Sequence, residues 1–184
     1  MKKATCLIIT LLLISFSLSS TPRRGDHEIP LSCDINYIYE NISDRSSINE
    51  NDFSSHEAGT LADTDNHIII ITINDCSKSH GKVYLKIENS SIDNNTGYLR
   101  NWITDDSASA NIAFQLLYSD RERPINLTKE NKFNETLIDG ATEFYFLVNY
   151  VKKDNMPAKP GYIQSTINFS VMINDNVVGF NNNY

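Results

Sequence analysis

Glycine is scarce here, with seven in 184 residues, and none sits in a run able to cradle phosphate or in a G-x-S-x-G turn. Nucleotide and α/β-hydrolase chemistry lose their usual signatures with them. The four histidines, His27, His56, His67 and His80, stand apart from one another, and no H-x-x-x-H or cysteine-pair spacing offers a metal its ligands. No catalytic residues, cofactor or metal are expected. Positive charge is also short: the net charge is −7, the pI is about 5.0, and the basic residues are scattered. That excludes the basic stripe a nucleic-acid backbone needs. No stretch reaches the roughly 20 apolar residues of a membrane-spanning helix. Helical periodicity is nearly missing as well.

What is present begins with a leader. Lys2 and Lys3 precede an apolar run from Cys6 to Phe16 that ends in Ser17, Ser19 and Ser20. A basic start, a short apolar stretch and small residues before a cut describe a secretory signal over residues 1–20, cleaved after Ser19 or Ser20. Export then decides how the cysteines read. Cys6 departs with the leader, and Cys33 and Cys76 remain as an even pair in an oxidising compartment, where a disulfide is the default.

Residues 21–184 read as one domain of strands separated by Asn- and Ser-rich connections. The segments are "EIPLSCDINYIYEN", "HIIIITINDC" (dense enough in β-branched residues to predict burial on both faces), "KVYLKIEN", "NIAFQLLYS", the short "PINLT", "TEFYFLVNYV" and "GYIQSTINFSVMIND". Residues 42–66 read as loop with one short helical turn. The last segment alternates over its whole length and predicts one long half-buried strand. Such a pattern predicts an all-β, immunoglobulin-like sandwich with one disulfide. Trp102, the lone tryptophan, lies after the second cysteine rather than between the two, so the antibody signature is missing. A strand should follow the last one to cover the core, which makes the sandwich incomplete. An uncovered apolar edge invites aggregation, and the physical remedy is a strand supplied by another chain.

These residues resemble the subunits of chaperone–usher fimbriae, the pilins of Gram-negative bacteria. The resemblance rests on "FLVNY" with Phe146, Val148 and Tyr150; on "PG" at Pro160–Gly161 opening a final strand that closes on Phe169-x-Val171; and on "NIAFQLL" followed by Ile125 and Leu127. The Cys33–Cys76 pair matches the family's single disulfide in place and spacing. The resemblance implies a domain lacking its last strand, with a donor-strand groove between the first and last strands lined here by Ile163, Ile167, Phe169, Val171 and Ile173. It implies a periplasmic chaperone, an outer-membrane usher and other fimbrial subunits as partners, with a host receptor as a further one. The chain would pass through the periplasm to a cell-surface fimbrium.

Two departures shape the expectation. The residues before Cys33, "TPRRGDHEIPLS", are poor plugs for apolar pockets, so the subunit is expected to accept a strand and donate badly, as a minor or tip subunit. Residues 175–184 run past the family's usual end. They are expected to fray, and the alternative is that "NDN" turns the chain so that Val178, Phe180 and Tyr184 fold back on the groove. Competing functions are a lectin-type fimbrial adhesin using Trp102 and the 42–66 loop, and a free-standing secreted binding protein. The Arg24–Asp26 "RGD" and the N-x-S/T sequons at Asn41 and Asn126 read as chance in so Asn- and Ser-rich a chain.

Overall fold

The computed structural model describes residues 31–39, 44–46, 48, 50–120, 123–159 and 161–180. The leader, the Arg24–Asp26 triplet, His27, the segment ahead of Leu31 and residues 181–184 lie outside them. The first sheet has the order β11-β1-β3-β7-β5, built from Gly179–Phe180, Ser32–Tyr39, His67–Asn74, Thr142–Lys152 and Ile112–Tyr118. The second has the order β10-β9-β4-β6, built from Asn176–Val177, Phe169–Ile173, Gly81–Ile87 and Lys132–Leu137. A small third sheet pairs β2, Asp44–Ser46, with β8, Gly161–Ile163. There is no α-helix among the described residues, and the 42–66 connection holds one 3-10 turn at Glu50–Asp52.

The two main sheets bury one continuous core between them. Strand alternation supplies it: Val83, Leu85 and Ile87 from β4 face Ile69, Ile71 and Ile73 from β3, with Phe144, Phe146, Val148 and Tyr150 of β7 alongside. β3 differs from expectation. Its β-branched density suggested burial on both faces, yet Ile68 is exposed and Ile70 only half-buried, so the sheet's outer side is left partly open to water there. β5 is the strand closed on both faces. Gln115 within it donates to the carbonyl of Ile125 at 2.7 Å, which sews the "PINLT" run against the sheet edge.

β6 is a strand that periodicity did not single out, since only Phe133 and Leu137 of "KFNETL" are buried. It joins β7 through Asp139 and Gly140, both at positive φ (51° and 80°), the geometry of a primed two-residue hairpin. The predicted long C-terminal strand is interrupted. β8 and β9 are separated by residues 164–168, whose backbone groups are taken by side chains and loops. Asn101 Oδ1 accepts from the Gln164 N–H at 3.0 Å, and Ser91 Oγ from the Asn168 N–H at 2.7 Å. Gly161 fixes the start of β8, because a Cβ there would lie 2.5 Å from the backbone nitrogen of Ser109.

One ion pair ties the long loop to the sandwich. Lys152, fully buried at the end of β7, donates to both carboxylate oxygens of Glu50 at 2.8 and 2.9 Å, and the Ala158 N–H and His56 also bond that carboxylate. The Ala158 N–H first, and then Lys152, hold the Glu50 carboxyl down at about 2, against an ordinary 4.5. A depressed carboxylate stabilises the fold above its unfolded value and loses that contribution as pH falls through the folded one. Stability is therefore expected to drop between about pH 4.5 and 2 in the native chain, and to drop less steeply in Glu50→Gln. Acid titrations of the two proteins followed by circular dichroism check this; parallel curves would remove Glu50 from the account.

Candidate strand-acceptor groove

The first and last long strands lie at the same side of the sandwich, β1 in one sheet and β9 in the other. Between them runs the seam where a sandwich closes or stays open. The disulfide Cys33–Cys76 pins the start of β1 to the segment after β3, and the Ser77 N–H donates to the Ser32 carbonyl at 2.9 Å. Cys33 is wholly buried. From the other wall, Val171 and Ile173 are buried, while Phe169 and Ile167 are only partly so, as is Ile35 on β1. The sheet register of β9 is set by β4, with Val83 opposite Ile173 and Leu85 opposite Val171.

The segment after β9 does not fray over the described residues. Asn174 and Asp175 both take positive φ (47° and 67°) and reverse the chain. Asn174 anchors that turn, its N–H donating to the Lys82 carbonyl and its Oδ1 accepting from the Lys82 N–H. Asn176 and Val177 then pair antiparallel with Ile173 and Met172, and the Val178 N–H donates to the Val171 carbonyl at 3.0 Å. Gly179 and Phe180 leave that sheet and pair in parallel with Ser32 and Cys33 on β1. Five residues thus cross from one sheet to the other. Val178 is 1% exposed, whereas its neighbour Val177 is 70% exposed. The alternative reading, folding back, is the one the chain adopts from 174 to 180.

Of the five residues assigned to the groove, Phe169, Val171 and Ile173 lie on β9, and Ile167, in the break just ahead of it, packs partly against the core. Ile163 lies on a different strand. The break at 164–168 places it on β8, where it is buried and pairs with Asp44 of β2. Ile35 and Val178 belong to the seam and were missed as site residues. Alternation after Cys33 would have found Ile35, and "NDN" before Val178 was the signal for the turn. Beyond Cys33, the outer edge of β1 from Asp34 to Tyr39 has no strand partner among the described residues.

No protein-family model matches the chain, and no curated protein sequence does. Among solved structures it is similar to the Burkholderia pseudomallei antigen and type I fimbria protein, with a TM-score of 0.52 and 16% identity over 77% of this chain and 99% of that one. This chain has a pilin-like fold. The CupB6 tip adhesin of Pseudomonas aeruginosa is a second match, with a TM-score of 0.49 and 10% identity over 71% of this chain and 35% of that one. The pilin-like sandwich also carries a half-exposed aromatic, Trp102, held by its backbone N–H, which donates to the Gln164 carbonyl near the exposed Tyr162. Among the described residues no cluster of three or more His, Cys, Asp or Glu is arranged to hold a metal, and no helix is long and apolar enough to cross a membrane.

Proposed function

We propose that this protein is a non-enzymatic structural subunit of a chaperone–usher fimbria, one that accepts a strand from another chain and contributes to adhesion. The observation that carries the reading is the half-buried trio Ile35, Ile167 and Phe169. Ile35 on β1 lies beyond the Ser32–Cys33 stretch that β11 covers, and Phe169 opens β9 with Ile167 just ahead of it, in a pilin-like fold. Apolar side chains flanking an unpaired strand edge are what β-augmentation uses: main-chain hydrogen bonds hold the incoming strand, and alternate side chains fill the pockets. The partners are a periplasmic chaperone first, then the usher and a neighbouring subunit, on a route from the periplasm to the cell surface. The polar, charged residues 21–28 are poor donor chemistry, which suits a minor or tip position.

Co-expression with a fimbrial periplasmic chaperone tests this. A stoichiometric complex is expected from the native chain, and Ile167→Asp with Phe169→Asp should abolish it while the domain stays folded. Both side chains are only partly buried, so a carboxylate there can reach water, yet it would have to be desolvated under an incoming strand. Unchanged complex formation by the double variant would move the contact elsewhere. Glycan binding by the isolated domain that depends on Trp102 would make it a lectin-type adhesin instead.

A further inference from the structure

The returning segment crosses the very seam that an incoming strand would use. Its turn is bonded on both sides to Lys82, its Val178 N–H is bonded to β9, and its last two residues occupy β1 at Ser32 and Cys33. Val178 is its one buried side chain among Asn176, Val177 and Val178, and it belongs to the same core cluster as Cys33, Val171 and Ile173. The grip is short. Two residues pair with β1, two with β9, and one further hydrogen bond joins them. A terminal element with one buried valine among Asn176–Val178 and only a few backbone bonds to its neighbours opens locally at less cost than the sandwich itself unfolds.

From this we propose that residues 174–180 form an intramolecular capping strand. It closes the disulfide end of the groove in the free subunit and must be released before another chain's strand can occupy the full seam. The idea rests on the strand-acceptor reading above and adds a regulation to it: the chain supplies its own temporary cover, and Val178 sets how firmly that cover is held. With the cap seated, the outer edge of β1 past Cys33 is the part of the seam without a strand partner among the described residues. Release of β11 and Val178 exposes Val171, Ile173 and Cys33 together. The accepting population is then a minor state whose size limits the apparent affinity for an incoming strand.

The test uses the full chain, Val178→Asp, the surface control Val177→Asp, and a chain ending at Asp175. The probes are two labelled peptides: residues 176–184, "NVVGFNNNY", and a designed twelve-residue strand with alternating Val and Thr. Loss of one buried valine's transfer energy should raise the open fraction by roughly tenfold to a hundredfold. Val178→Asp and the shortened chain are therefore expected to bind both peptides at least about tenfold more tightly than the native chain and Val177→Asp. Amide exchange at Gly179 and Phe180 should accelerate in Val178→Asp alone among the full-length forms. Equal binding of the designed strand by all four proteins overturns the cap and leaves the acceptor reading standing. Binding of the 176–184 peptide to the shortened chain, with no binding of the designed strand to any form, keeps the seat of the tail and overturns both its regulatory role and the acceptor reading. Should the shortened chain fail to fold, the Val178→Asp and Val177→Asp pair decides the matter by itself.

Discussion

Replacing both Cys33 and Cys76 with alanine is expected to lower the stability of the domain by about 4 kcal/mol, the loop-closure entropy of a cross-link spanning 43 residues. The cross-link does more than shorten the unfolded chain. It holds the start of β1 against the segment that leaves β3, where the Ser77 N–H meets the Ser32 carbonyl, and it does so at the residues on which β11 is seated. Urea denaturation of the oxidised native protein and the double variant should therefore show a large fall in midpoint. Amide protection at Gly179 and Phe180 should be lost before that of β3 and β7. A fall of less than about 1 kcal/mol would mean that the denatured chain is already constrained in this loop.

Phe146→Ala is expected to cost about 3–5 kcal/mol, the range for removing a buried phenylalanine from a packed core. The reason lies across the sandwich. Phe146 on β7 meets Phe133 on β6 edge to face, with ring centroids 4.8 Å apart, and the two strands belong to opposite sheets. The pair is thus one of the contacts holding the layers together, worth about 0.5–1.5 kcal/mol beyond its buried area. Tyr145, its neighbour on the same strand, points to the other face and is 43% exposed, so Tyr145→Ala should stay within about 0.5 kcal/mol of the native protein. Thermal or urea denaturation of the two variants separates them. Similar losses at both positions would contradict the facing of β7.

Much of the fold was legible because a strand with one wet face writes its own pattern. Val83, Leu85 and Ile87, or Phe144 to Tyr150, announce their burial through a period of two. β6 hid because two buried residues in "KFNETL" make no period on their own. The expectation for β3 failed because β-branched density reports propensity, and whether its outer face is covered depends on what the rest of the chain leaves there. The alternation from Ile163 to Ile173 suggested one continuous strand, and the structure divides it into β8 and β9. Ile163 alternates in phase with Phe169, yet residues 164–168 give their backbone bonds to Ser91, Glu88 and Asn101 and divide the strand.

The alternation of apolar and polar residues and the paired cysteines are legible in the chain alone, each a local property, while "NDN" offered a turn only as the alternative to a frayed tail. Which strands meet is settled by the folded domain. β8 goes to β2 and β9 to β4. The five residues after Asp175 cross from β9 to β1, and Val178 among them joins the core that the two sheets bury only together. Pairing of distant strands is settled by the burial it permits, and that burial exists in the folded domain alone.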